Sequence, residues 1–179
     1  HGVIFANRGA ILDRNGVELA TNAINEGNSA FAGRLYAPME GLAHAIGYVR
    51  YPLIDSSGVY YERDYRARDG IERAYDEVLK GKNGLKLTEI DVEGVVTSES
   101  VVYNPVDGQT LEISLDAKVT EALYKAIKGL ANRSNFVGGT GVIMDVHTGE
   151  IIALTSFPEY NQNAITHGMD QKSFNSLIN

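Results

Sequence analysis

A chain of 179 residues with 44% hydrophobic and 22% charged side chains is globular in composition, large enough for one sizeable core or two small modules. Its net charge of -7 argues against nucleic acid as a partner, because phosphate binding needs a basic stripe. Cysteine is absent, which removes disulfides, thiolate metal sites and a cysteine nucleophile, and no apolar run approaches the roughly 20 residues that cross a bilayer.

From Arg8 to Ala20 the chain reads R-G-A-I-L-D-R-N-G-V-E-L-A. Two apolar runs flank Asp13-Arg14-Asn15-Gly16, and Asn-Gly predicts a β-hairpin with a tight primed turn, since both residues tolerate positive φ. Residues 21–33 are small and polar, with Gly27 and Gly33, and predict a loop. Residues 39–46 suit a short helix stopped by Gly47, and Tyr48 to Tyr51 a strand. His44 has no second histidine or acid at ligand spacing and reads as a structural histidine. Residues 52–67, rich in turn formers and tyrosine, read as a loop crossing a surface.

A helix is predicted to start sharply at Asp69, its N-cap, with Glu72 three places on completing a capping box. Ile71, Tyr75, Val78 and Leu79 share one face, and Gly81 supplies the left-handed stop. Leu85 to Leu115 is strand-like, broken at Glu93-Gly94, Asn104-Pro105 and Asp107-Gly108, with Leu111, Ile113 and Leu115 alternating. Asp116 then caps a helix of about four turns, with Val119, Leu123, Ile127 and Leu130 on one side. A second hairpin follows, Gly141 to Ser156, turning at His147-Thr148-Gly149-Glu150. Its strands are apolar on both faces, so one face is expected to pack on a second copy or to remain a large apolar patch. Gly138-Gly139-Thr140-Gly141 lacks the Gly-Lys-Ser/Thr ending of a phosphate loop.

Three stretches resemble the ordered motifs of the class B penicillin-binding proteins. The first is R-G-x-I-x-D-R-N-G-x-x-L-A, with Arg8, Gly9, Asp13, Arg14 and Gly16. The second is Arg34-Leu35-Tyr36-Ala37-Pro38 followed by Ala43-His44 and Gly47-Tyr48-Val49; it departs from the family's R-x-Y-P at Ala37. The third is Gly70-Ile71-Glu72 followed by Tyr75, Leu79, Gly81 and Gly84, with Ala67 where a glycine is usual. Residues 104–163 are similar to the passage that leads from the family's pedestal into its transpeptidase domain.

The resemblance implies an α+β fold. Residues 1–110 would form an extended antiparallel β-rich pedestal with two to three helices, its head segment between about 21 and 33 missing or shortened. Residues 111–179 would add one helix and a β-hairpin of a truncated transpeptidase domain. It further implies a parent most like the elongation-type peptidoglycan D,D-transpeptidase, which cross-links stem peptides through an acyl-serine and binds penicillin. Such a protein lies on the periplasmic face of the inner membrane, with an anchor before residue 1. Implied partners are its own transpeptidase domain, a SEDS-type glycan polymerase and a rod-shape scaffold protein, with self-association possible through residues 141–156.

Catalysis by that family needs Ser-x-x-Lys, which occurs nowhere in the chain. Ser173-Phe174-Asn175 matches the second family signature only by letters, and Thr148-Gly149 follows His147 instead of lysine. The carboxylates each have a turn, cap or solvated-face reading. The chain is therefore expected to be non-catalytic and to need no cofactor or metal. The alternative from another class is a stand-alone envelope interaction module. The candidate site is structural: Arg8, Gly9, Asp13, Arg14, Gly16, Arg34, Tyr36, Gly70 and Glu72, of which Arg8, Arg14 and Arg34 with Asp13 and Glu72 are expected to share a partly buried charge network. Arg8 with Glu72 is the first expected pair, and Arg34 the next claimant on the same carboxylate.

Overall fold

The computed structural model describes residues 2–93 and 96–168; Ser173-Phe174-Asn175 lies outside the described residues. In chain order the first elements are β1 (Gly2–Ile4), β2 (Ile11–Leu12), β3 (Glu18–Ala23), β4 (Gly33–Tyr36) and α1 (Ala43–Ile46). Four short elements follow, β5 (Val49–Arg50), β6 (Leu53–Ile54), β7 (Tyr60–Glu62) and β8 (Arg66–Ala67). Next come α2 (Gly70–Ala74), α3 (Asp76–Leu79), β9 (Gly84–Ile90), β10 (Val96–Tyr103) and β11 (Leu111–Glu112). The last are α4 (Ala117–Ser134), β12 (Gly139–Met144), β13 (Ile151–Phe157) and α5 (Gln162–Thr166). Helix and strand mix along the chain, an α+β fold as expected.

A four-stranded sheet in the order β11-β2-β3-β4 lies at the centre. It supplies Ile11, Leu19, Ala20 and Tyr36 to a core that Leu42, Ile46, Leu79 and Ala117 complete. A three-stranded sheet, β1-β9-β10, carries the longest strands, and β10 is exposed along its whole length. A smaller aromatic core gathers Phe31, Val49 and Tyr65 with Phe5, Tyr51 and Tyr60. There Phe31 meets Phe5, Tyr60 and Tyr65 edge to face, the arrangement that ring quadrupoles favour.

Several local expectations need correction. Only glycines and Asn135 have positive φ among the described residues, so Asn15 does not enter a primed turn. Instead the Asp13 carboxylate takes the N–H groups of Asn15 (2.7 Å) and Val17 (2.9 Å), and Gly16 alone turns left at φ 77°. Asp55 repeats this device with Ser57, Val59 and Gly58 (φ 83°). The loop expected over 21–33 is shorter, because β3 runs on to Ala23 and pairs with β4. Residues 52–67 are not loop throughout; they hold β6, β7 and β8. The helix after Asp69 breaks at Tyr75 (φ -114°, ψ 25°) into α2 and α3. Tyr75 and Val78 of its expected apolar face stay exposed. Within residues 1–110 the strands described pair antiparallel, as expected, and β11 beyond them joins β2 in parallel. That pairing brings residue 111 into the same sheet as the N-terminal hairpin.

Helix α4 runs 18 residues, longer than expected. Asp116 caps it by accepting from Val119 N at 3.0 Å, and Asn135 closes it in the left-handed conformation. It packs on one face of the β12–β13 hairpin, where a Cβ on Gly139 or Gly141 would collide with Ile127 or Leu123. On the opposite face Val142 and Met144 stay more than half exposed.

Candidate functional site

Arg8, Arg34 and Glu72 come from three elements far apart in sequence, and all three are withdrawn from solvent. Glu72 sits on α2 because Asp69 caps Gly70 N at 2.9 Å and starts the helix one residue earlier. Its carboxylate does not close a capping box. Instead it turns inward, with Oε2 accepting from Arg8 Nε at 2.6 Å and Oε1 from Arg34 Nε at 2.7 Å. A buried charge is tolerated only when paired and hydrogen-bonded, and here the demand is met twice.

The guanidiniums have further partners. Arg8 Nη2 donates to the Glu72 backbone carbonyl at 2.9 Å, and Arg8 Nη1 lies 2.7 Å from Asp76 Oδ1. Arg34 Nη1 donates to the carbonyl of Gly9 at 2.8 Å. Two arginines against Glu72 and Asp76 leave the cluster neutral. Burial pulls the Arg8 pKa down, but the charges and hydrogen bonds of Glu72 and Asp76 outweigh it and hold the pKa above its ordinary value. Tyr36 closes the network, donating to Glu72 Oε1 at 3.3 Å while accepting from Val49 N at 3.0 Å. Burial and the nearby Glu72 charge raise its phenol well beyond the usual range.

Glycines let these segments meet. A Cβ on Gly9 would fall 1.9 Å from Gln109 O, so the backbone beside Arg8 can lie against residues 108–109 only without a side chain. Gly9 N also donates to Leu79 O at 2.8 Å. Gly70, at φ 56°, packs against the backbone of Ala45 to Gly47, which ties α2 to α1.

Asp13, Arg14 and Gly16 stand apart from this cluster, contrary to the shared network expected. Asp13 is buried, yet its partners are backbone N–H groups: Asn15, Val17 and, through Oδ2, Ala117 at 3.1 Å. Burial raises its pKa, and these bonds more than reverse that, leaving the carboxyl below its ordinary value. Asp13 therefore adds a second cap to α4, beside Asp116, and docks the hairpin turn there. Arg14 is exposed on the rim, 3.5 Å from Glu150. Arg14 belongs to the turn that Asp13 docks on α4, and its side chain stays at the surface there. Gly16 serves the turn alone.

The sequence marks residues 159–163 only as part of the passage into the transpeptidase domain, yet they grip the second motif. Asn163 Oδ1 accepts from Tyr36 N at 2.9 Å and its Nδ2 donates to Tyr36 O at 3.0 Å, so one amide side chain substitutes for a neighbouring strand on β4. Glu159 accepts from Gly41 N (2.8 Å) and Ala43 N (3.2 Å). No local pattern announces such contacts. His44 is held structurally, its Nε2 3.0 Å from Pro158 O and its ring edge-on to Tyr160. No group of three metal-ligating side chains occurs among the described residues.

A mixed sheet holding a buried, neutral cluster of Arg8, Arg34, Glu72 and Asp76 is a structural arrangement. Residues 30–113 match the family described as Penicillin-binding Protein dimerisation domain, so this stretch carries the likeness to the penicillin-binding proteins. Among curated relatives, Peptidoglycan D,D-transpeptidase MrdA of Escherichia coli K12 is 26% identical over 179 residues, covering 91% of this chain and 27% of that protein. Peptidoglycan D,D-transpeptidase FtsI of the same strain is 26% identical over 133 residues, covering 74% of this chain and 21% of its own length. The chain thus spans about a quarter of the curated relatives it matches. Penicillin Binding Protein 2X of Streptococcus thermophilus shares the fold with a TM-score of 0.73 at 17% identity, over 95% of this chain and 37% of that one. Penicillin binding protein 3 of Mycobacterium tuberculosis superposes with a TM-score of 0.66 at 24% identity, covering 95% and 32%.

Proposed function

We propose that these residues form the non-catalytic pedestal of a class B penicillin-binding protein and position its peptidoglycan D,D-transpeptidase domain in cell-wall synthesis. The observation that carries this reading is the Glu72 carboxylate divided between Arg8 and Arg34. A doubly held buried carboxylate fixes the relative orientation of the segments that meet at it. It offers no activated nucleophile. No Ser-x-x-Lys occurs in the 179 residues, so acyl-serine chemistry and penicillin binding belong to the parent's serine-bearing part. In this reading the nine motif residues act in two groups. Arg8, Gly9, Arg34, Tyr36, Gly70 and Glu72 lock the pedestal, while Asp13 docks its hairpin on α4, Gly16 shapes the turn and Arg14 borders it beside Glu150. The motif resemblance favours the elongation type and the outer face of the inner membrane, with a SEDS-type polymerase and a rod-shape scaffold protein as partners.

Two measurements test it. The 179-residue chain should not be labelled by a fluorescent penicillin, and stoichiometric covalent labelling would overturn the non-catalytic assignment. In the longer parent, Arg34→Lys should lower cross-linking of peptidoglycan while penicillin acylation continues. Equal loss of both, or of neither, would remove the positioning role.

A further inference from the structure

Three guanidiniums share one face of the β5–β8 ladder. Arg50 stands directly opposite Arg66, and Arg68, whose N–H donates to Tyr48 O at 2.9 Å, continues the same face two residues on. Like charges directly opposite destabilise a strand pair, so this arrangement works against the fold unless something answers it. Glu62 pairs with Arg66. No hydrogen bond or ion pair joins the side chain of Arg50 or Arg68 to any described residue. With Tyr51 and His167 these groups line a recess of about 610 Å³. The recess carries an excess of two positive charges on a chain whose net charge is -7.

We infer that this recess binds a phosphate-bearing anion. Every fixed cation lining it is an arginine, the side chain whose planar fork matches phosphate oxygens two at a time. A carboxylate has two oxygens and is saturated by one or two forks, whereas a phosphate presents three or more to a ring of guanidiniums. A phosphate monoester also brings about two negative charges near neutral pH, which equals the local excess, and pyrophosphate brings more. The site lies outside the Arg8–Glu72–Arg34 cluster and does not depend on the positioning role. The same chemistry could reach it as a soluble phosphate or as a lipid headgroup.

Calorimetric titration with pyrophosphate and flotation with vesicles of phosphatidic acid in phosphatidylcholine separate these sources. Saturable binding is expected in at least one arm, weakened about tenfold or more in the R50Q/R68Q double variant. K118Q/K125Q, which removes two charges from α4, should leave it unchanged. Binding to pyrophosphate alone marks a soluble ligand, and binding to vesicles alone marks a headgroup; either supports the site. Without ligand, R50Q/R68Q should melt no lower than wild type, since a like-charge contact has been relieved, so lost binding is not lost folding. Absence of binding in both arms overturns the inference, as does equal weakening in the α4 variant. A glutamate-rich peptide that displaces pyrophosphate more effectively than phosphate does would also overturn it, marking an acidic protein segment as the occupant.

Discussion

Arg8 Nε lies 2.6 Å from Glu72 Oε2, and neither side chain has any exposure to solvent. Arg34 holds the other oxygen, so the three partners are not equivalent. Removing Glu72 leaves Arg34 without an anionic partner and Arg8 with Asp76 alone, whereas removing Arg8 leaves Glu72 with Arg34. Glu72→Gln is therefore expected to cost about 3–5 kcal/mol, and Arg8→Met or Arg34→Met distinctly less. Urea unfolding of the single variants reads the ranking. The Arg8→Ala, Glu72→Ala cycle reads the pair itself, and a coupling energy near zero would show that the contact organises nothing.

Asp13 makes stability depend on acid. An unfolded aspartate titrates near pH ~3.9, and the folded Asp13 titrates lower because backbone N–H groups prefer its charged form over the cost of burial. The sign follows: its contribution is fully present above the unfolded value and is lost as pH falls through the folded one. Asp116 is shifted the same way by Val119 N and the Asn15 side chain. Asp13→Asn should lower stability at pH 7 by about 1–3 kcal/mol and flatten the acid limb of the stability curve below about pH 4. An unchanged acid limb in that variant would remove Asp13 as a source.

How far the sequence revealed this arrangement depended on the range of each interaction. Elements set by local chemistry are legible: the hairpin around Asp13, the Asp69 and Asp116 caps and the stop at Gly47; the α+β class follows from the motif resemblance. Glu72 shows where local reasoning ends. Three residues after an N-cap it has the signature of a capping box, but its partners lie 64 and 38 residues away and claim the carboxylate first. Motif resemblance suggested those partners; helix chemistry alone could not. Asn163 was invisible because an amide that completes a strand edge 127 residues away leaves no periodicity. Arg14 misled for the opposite reason. It belongs to the same motif as Arg8, yet Arg8 is buried before β2 and Arg14 lies in the exposed turn after it, beside Glu150.

Two glycines of the first motif should respond very differently to one methyl group. At Gly9 the added Cβ would sit 1.9 Å from a backbone carbonyl that no rotamer change can move. At Gly16 the space is open, and the cost is that of holding alanine at φ 77°. Gly16→Ala should cost about 1 kcal/mol, the usual penalty of the left-handed region. Gly9→Ala should cost several times more and weaken the Arg34 bond to the Gly9 carbonyl. Comparable melting temperatures for the two variants would contradict the close approach of residues 9 and 109.

The last prediction concerns the outer face of β12–β13. Side chains alternate across the strands, so Gly139 and Gly141 meet α4 while Val142 and Met144 point away; on β13, Ala153 and Thr155 are buried while Leu154 is partly exposed. Val142 pairs with Leu154 in the register, so the exposed apolar atoms form one continuous surface. Burying apolar area contributes about 25 cal/mol per Å², and a surface of this kind favours association when a second apolar face is available. The 179-residue chain is therefore expected to self-associate through residues 141–156, with a mass by light scattering that rises with concentration. Val142→Lys should abolish that rise without lowering the melting temperature of the dilute protein, because position 142 makes no contact with the core. A mass fixed at one chain across the accessible concentrations, or a dimer that tolerates Val142→Lys, would exclude this face as the contact.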